Sequence, residues 1–340
     1  LYPQRLAELE GRTYRKGAYT VRDALEDYHR HLEVHGKTAR DSRSRAETLI
    51  LPELGEVETA KLTASMIRRW HEGLAKAPAR ARRAKGEDGV KYRKDAGEDP
   101  EAERRRKATA NRMLAILKAG LNHAWREGMI SSDDAWRRVQ PFKNVDAARV
   151  RYLDLDEAQR LINACEPAFR ALVRGALFTG MRYGELVALT VQDFNRDAGA
   201  VHVRASKSGK GRHVYLNADG VAFFEQVTAG RKGGELMFAK ADGAPWGRTH
   251  QKRPLKAACE RAGIDPPITF HELRHSYASH AIMAGAPLMV VAENLGHADT
   301  RMVEKHYGHL AQSYVADTIR KTAPSFGTEP SNVEPLRSTG

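Results

Sequence analysis

Apolar residues recur at helical spacing through much of the first 130 residues, and that periodicity commits the front of the chain to helices. Val21, Leu25, Tyr28 and Leu32 form one stripe, and Met66, Ile67, Trp70 and Leu74 a second. Met113, Ile116, Leu117, Leu121, Ala124 and Trp125 form a third, broader stripe that stops at Gly128, a residue suited to a helix end. The aromatic and methionine positions read as core packing. Residues 76–107 interrupt the pattern with 12 basic and 7 acidic side chains and little apolar periodicity, so they read as an inserted basic loop or arm.

Near residue 150 the character changes. PFKNVDAARVRYL has no amphipathic pattern and reads as a linker. Asp154 then stands three residues before Glu157, the signature of a capped helix start. Helical segments run to about Thr190, and the chain is helical again from about His250. Between them VHVRASK and RHVYLN alternate around Ser208-Gly209-Lys210-Gly211, as the strands of a β-hairpin do. At 340 residues the chain exceeds one comfortable core. The expected division is a helical domain over 1–149, a second domain over 150–322, and a polar, proline-bearing tail over 323–340.

The formal net charge is +13, from 56 basic and 43 acidic residues, which points to a polyanionic partner, nucleic acid above all. Residues 1–150 carry 32 basic and 23 acidic side chains, hence +9, leaving +4 for the remainder. Cys165 and Cys259 are too far apart in sequence to form a disulfide framework or a cysteine metal cluster, and a reducing cytoplasm is the simplest setting. No apolar run approaches a membrane span, and Leu1-Tyr2-Pro3 does not open a secretory signal. A chain that starts without Met reads as trimmed or partial.

Five patches in the second half carry chemistry together. They are TGMRYGEL with Arg182 and Glu185, the hairpin with Lys207, HELRH with His271 and Arg274, LGHA with His297, and HYGH with Tyr307. As a set they supply what metal-free transfer of a phosphodiester needs. Two guanidiniums can grip the phosphoryl oxygens, on which charge builds. His271 and Arg274, three apart, share one helix face. A histidine can move a proton near neutral pH, a phenol can attack phosphorus, and a lysine can protonate a departing oxygen.

The order and wording of these patches resemble the tyrosine recombinase, or phage integrase, family across essentially residues 20–320. The resemblance implies an N-terminal all-α, SAM-like core-binding domain. It also implies a C-terminal mixed α/β, mainly helical catalytic domain with a small antiparallel sheet, the DNA breaking-rejoining fold. It implies Arg182 and Arg274 as phosphate-binding arginines, Lys207 as general acid to the leaving 5′ oxygen, and His271 assisting proton transfer at the nucleophile. His297 would bond the scissile phosphate, Glu185 would orient its neighbours, and Tyr307 would form a 3′-phosphotyrosine. Tyr307 stands ten residues after His297, although His-Tyr-Gly-His departs from the commoner Tyr-Thr-His ending. Tyr277 and Tyr314 are rival nucleophiles, and Lys210 and Arg212 rivals of Lys207. The implied function is site-specific recombination, of a prophage or other mobile element rather than a chromosome dimer. The implied partners are two duplex DNA sites, a homotetramer on DNA, and accessory DNA-bending or directionality proteins. No cofactor, no metal and no membrane enter the scheme, and the implied location is the cytoplasm, at the nucleoid.

Two rivals come from other classes. His271-Glu272-Leu273-Arg274-His275 fits H-E-x-x-H, the zinc-peptidase helix. The extended form fails at Ala278 and Ala281, Glu293 is an unsupported third ligand, and Arg274 disfavours a dication. The second is a basic DNA-binding protein without catalysis, disfavoured because each catalytic position holds the residue type the chemistry needs. The charge generates a prediction. Affinity for duplex DNA falls linearly with salt on logarithmic axes, roughly 10³-fold or more between 50 and 200 mM if six phosphates are contacted, measured by titration binding; a flat response contradicts it.

Overall fold

The computed structural model describes residues 18–35, 38–78, 100–145, 151–204 and 211–324, with only the backbone of 100, 309, 311–318 and 321. The chain divides into two compact units, Leu1–Ala147 and Ala148–Gly340.

The first unit is built of α1 Val21–His35, α2 Ala39–Leu49, α3 Leu51–Leu54, α4 Ala64–Lys76, α5 Pro100–Arg126 and α6 Asp134–Arg137, with the three predicted stripes on α1, α4 and α5. Helix α5 lies along both α1 and α4. The core they share includes Val21, Leu25, Ile67, Trp70, Met113, Leu117, Leu121 and Trp136. Thr63 caps α4 by accepting from the Met66 amide at 3.2 Å. Two expectations need correction. Lys76 closes α4 and residues 100–107 open α5, so the basic interruption is shorter than 76–107. The apolar part of α5 beyond Ala110 extends backwards through a charged first turn, where Glu101 pairs with Arg104 at 2.5 Å, an i,i+3 contact that suits a helix. Residues 79–99 lie outside the described residues. Trp125 is 42% exposed and does not pack in the core, because its neighbour Ala124 takes the inward position.

The second unit follows in sequence as α7 Leu155–Ala164, α8 Pro167–Thr179, α9 Tyr183–Leu186, β1 Phe194–Asn195, β2 Ala200–Val203, β3 Arg212–Tyr215, α10 Ala218–Thr228, α11 Lys252–Arg261, α12 Phe270–Met283, α13 Leu288–Leu295 and α14 Arg301–Thr322. Asp154 caps α7 as the sequence predicts. Its carboxylate accepts from the Glu157 amide at 2.6 Å, and Glu157 accepts in return from the Asp154 amide at 3.2 Å. The three strands form one antiparallel sheet in the order β1-β2-β3, with Val201 opposite Val214 and His202 opposite His213. The two strands expected from alternation pair with each other, while residues 205–210 of the expected hairpin lie outside the described residues, and the two-residue β1 adds an edge too short for its own sequence signal.

The main core gathers Leu161, Phe169, Leu172, Val201, Val214, Phe224, Phe238, Leu255 and Leu273. A separate, smaller cluster joins α12, α13 and α14 through Ala278, Ile282, Val291, Leu295, Val303 and Tyr307. Helix α12 packs on α8 at one side and on α14 at the other, so it links the two clusters. The segment entering the unit is stitched to α12: the Leu153 amide donates to Ser276 Oγ at 2.9 Å, and the Leu153 carbonyl bonds His280 Nε2 at 2.8 Å.

Gly180 ends α8 with φ +61°, and a Cβ there would overlap the Tyr277 ring and approach Leu295 Cδ2 to 2.7 Å. Gly263, after α11, has φ +64° with nothing within 4 Å of its missing Cβ. The pair separates backbone strain from crowding. Gly263→Ala is expected to cost about 1 kcal/mol and Gly180→Ala about 2–4 kcal/mol, read as shifts in denaturant midpoint. Equal costs at the two sites would show that the Tyr277 ring yields freely.

Candidate active site

The site is built where α8 ends, α12 begins and α13 ends. The positive-φ turn at Gly180 terminates α8 and delivers Met181 into the core, and Arg182 follows immediately before α9. Glu185, one turn into α9, folds back so that its carboxylate accepts from the Arg182 amide at 3.1 Å and from the Arg182 guanidinium at 2.9 Å. The same carboxylate receives Arg212 from β3, with Nη2 at 2.9 Å and Nη1 at 3.2 Å. Burial opposes ionisation of Glu185, but hydrogen bonds and charge from Arg212, with those from Arg182, outweigh it and hold the carboxyl below its usual range.

Arg274, on α12, is only 3% exposed, an uncommon state for a cation. Its Nη1 donates to the Gly180 carbonyl at 2.9 Å, and its Nη2 stands 2.7 Å from His297 Nε2. Burial, then the nearby Arg182 charge, lowers its pKa to about 10, which leaves it charged at neutral pH. His297 follows Gly296, whose φ is +72° and whose missing Cβ would meet the Arg212 guanidinium at 2.8 Å. The glycines of TGMR and LGHA are thus positions where the chain must turn left-handed beside a site residue. Burial first, then the charges of Arg274, Arg182 and Arg212, lower the His297 pKa to about 4. A neutral His297 accepts from Arg274 at Nε2 and carries its proton on Nδ1, which has no hydrogen-bond partner among the described residues.

Tyr307 sits in the middle of α14 with its ring in the small cluster. Burial pushes the phenol up to about 12, with the Arg274 charge pulling the other way. Its hydroxyl bonds to Nδ1 of His275. The His275 ring stands edge-on to His271, with centroids 4.6 Å apart. Partial desolvation, then the charges of Arg274 and Arg182, lowers the His271 pKa.

The structure therefore brings Arg182, Glu185, His271, Arg274, His297 and Tyr307 together. Lys207, like its rival Lys210, lies outside the described residues. Arg212, the other rival, is committed to Glu185 and also donates to the Asn294 carbonyl at 3.2 Å. The Tyr277 hydroxyl accepts from Asn294 at 2.5 Å beneath the site, an anchoring role, and the side chain of Tyr314 lies outside the described residues. Glu272 turns away from the histidines and accepts from the Thr269 amide at 2.5 Å as a helix cap. Among the described residues, no three His, Cys, Asp or Glu side chains are arranged to hold a metal ion. Sequence reasoning gave no role to His275 and took Arg212 only as a rival. The cue for Arg212 was its alternation with buried Val214 on β3, which faces it toward the sheet's packed side.

Two guanidiniums, Arg182 and Arg212, share the Glu185 carboxylate while Arg274 has no carboxylate hydrogen-bonded to it, so the site carries excess positive charge beside a buried phenol. Such an arrangement can hold an anion next to a phenol. Residues 151–313 match the model of the Phage integrase family. Over 237 residues it is 30% identical to the integrase of Salmonella phage P22, covering 66% of this chain and 60% of that one. Over 232 residues it is 28% identical to the tyrosine recombinase XerC of Pelobacter propionicus, covering 66% of this chain and 76% of the relative. This chain thus spans three fifths of the phage relative's length. The fold matches the Tn1549 transposon integrase in complex with transposon right end DNA at a TM-score of 0.66 and 17% identity, covering 90% of this chain and 100% of that one. It matches a lambda integrase dimer bound to a COC′ core site at 0.64 and 19% identity, covering 90% and 84%.

The shared carboxylate generates a prediction. Glu185→Gln leaves two guanidiniums without their counter-charge and is expected to cost about 3 kcal/mol at pH 7, by chemical denaturation. Because the folded carboxyl titrates below its unfolded value of 4.5, this contribution is full above that pH and fades as pH falls through the folded pKa. The gap between native and variant proteins should therefore narrow only in acid below about pH 4.5; a constant gap would assign it to packing.

Proposed function

We propose that this chain is a site-specific DNA recombinase that cuts and rejoins strands through a 3′-phosphotyrosine at Tyr307. The observation that carries this reading is the burial of a phenol beside Arg274, inside a cluster whose guanidiniums outnumber their one carboxylate. In this scheme Arg182 and Arg274 hold the non-bridging oxygens of the scissile phosphate and stabilise the charge that develops there. Glu185, fixed by Arg212, positions Arg182. His297 offers its unpartnered Nδ1–H to the phosphate, and His271 assists proton transfer. Lys207 protonates the departing 5′ oxygen. The bond energy is kept in the phosphotyrosine until a 5′-hydroxyl attacks and restores the backbone, so the scheme needs neither ATP nor metal.

The helical domain expected over 1–149 would bind the DNA as a core-binding domain, with its basic interruption along the backbone, and 150–322 would cut. A lambda integrase tetramer bound to a Holliday junction is among the solved structures of like fold. We extend that assembly to this chain: four protomers on two DNA sites, exchanging strands in two rounds, with accessory DNA-bending or directionality proteins. The integrase-type relatives favour a prophage or other mobile element as its substrate, and we place its action in the cytoplasm, at the nucleoid. Among the described residues, no helix is long and apolar enough to cross a membrane.

The test is a suicide duplex: a site enriched by the protein from a random pool, nicked on one strand so that the cleaved product diffuses away. The native chain should give a covalent protein–DNA band on a denaturing gel. Tyr307→Phe removes one oxygen and should abolish that band while leaving DNA affinity unchanged. Arg182→Ala and Arg274→Ala should slow its formation about 10²–10³-fold. A band that survives Tyr307→Phe overturns the nucleophile assignment.

A further inference from the structure

Among the described residues, the hydrogen-bond partner of the Tyr307 hydroxyl is His275, through Nδ1, and not His271. A nucleophilic phenol must lose its proton as it attacks. With its pKa pushed up to about 12, roughly one Tyr307 in 10⁵ is ionised at pH 7, so a base in contact with the hydroxyl is required. We propose that His275 takes the Tyr307 proton during strand cleavage and returns it during rejoining. This rests on the reading of Tyr307 as the nucleophile.

The geometry suits the role in three ways. Nδ1 can accept only when the ring is neutral and its proton is on Nε2. Burial keeps the ring neutral, followed by the charges of His271 and Arg274 on its own helix, His306 on α14 and His297 after α13, which lower its pKa to about 4. His275 is also the residue after Arg274. The grip on the phosphate and the base on the nucleophile are thus consecutive residues of α12, yet they point apart: Arg274 to Gly180 and His297, His275 to α14. Finally, the anion relieves the positive field. A scissile phosphate on Arg274 opposes the charge that disfavours a protonated His275, so the base strengthens when substrate is bound. In the step itself, the bond between Tyr307 Oη and phosphorus forms, and the phenolic proton moves to Nδ1. The bond from phosphorus to the 5′ oxygen breaks, and that oxygen receives its proton from Lys207. Rejoining runs the same transfers backwards. His271 is then left to the phosphate side of the site.

The experiment is single-turnover adduct formation on the nicked duplex at saturating protein, so that affinity does not enter the readout. The native rate should climb with pH along one acid limb and level off once His275 is unprotonated in the complex. His275→Asn can still accept a hydrogen bond but cannot take a proton. It should lose about 10²–10⁴-fold in rate, and its rate should rise with pH without levelling. His271→Asn should keep the limb. Native-like rate and limb in His275→Asn, or loss of the limb in His271→Asn instead, overturns the assignment. If adduct survives Tyr307→Phe, the nucleophile reading fails first, and the two failures are distinguishable. Should His275→Asn not fold, nitrogen NMR of the native full chain labelled at histidine decides. His275 should be in the Nε2–H form with an Nδ1 signal that moves in Tyr307→Phe; an Nδ1–H form overturns the proposal.

Discussion

A guanidinium buried to 3% exposure without a carboxylate hydrogen-bonded to it has to be held by dipoles, and Arg274 is held by two. One is the Gly180 carbonyl, free because α8 ends there in a left-handed turn. The other is His297, which can accept only while it stays neutral. Both partners depend on glycine turns that no side chain could fill without strain. Glu185, the carboxylate whose charge acts on Arg274, is already taken by Arg182 and Arg212. The net result is an unmet demand for negative charge at one point on the protein. Desolvated cations are costly, and the cost is offset when an anion arrives, so the site is preorganised for an anion rather than for its own resting stability.

The histidines follow from the same field. His271, His275 and His297 all have lowered pKa values, with burial first and neighbouring cations adding to it. Each is therefore neutral at physiological pH and available as an acceptor or a neutral donor. A protonated ring in this position would compete with the arginines for the same anion. The electrostatics thus separate two tasks: charge comes from arginine, which cannot readily lose it, and proton movement is left to imidazole and phenol.

Much of this was legible in the sequence, for reasons that differ by region. The stripes through Leu25, Trp70 and Leu117 placed helices correctly because their apolar faces do the packing. Asp154 and Glu157 announced a helix start because a capping box is a local device. The stretch 76–107 was misjudged at both ends, since Lys76 and the run Arg104–Lys107 are helical but carry charge rather than apolar period. Trp125 was misjudged because one residue of rotation, about 100° on a helix, separates core from solvent. In the site, Arg182, Arg274 and His297 stood in worded motifs. Arg212 did not: its partner Glu185 is 27 residues away, and only the pairing of β2 with β3 and the contact of β3 with α13 bring it in. His275 was visible as a letter in HELRH, but its partner lies 32 residues on, and nothing local marks which of two histidines faces α14.

The small cluster beneath Tyr307 has a mechanical consequence. The arginines are anchored through α9, β3 and the first turns of α12 to the large core, whereas Tyr307 rides on a helix seated on a satellite of few apolar side chains. Regions with little buried apolar contact open at a lower free energy than the domain as a whole. Removing α14 from its seat therefore breaks the His275 contact and withdraws the phenol while the anion grip stays assembled. The anion grip and the phenol are in that sense held by separate fasteners, one in each cluster.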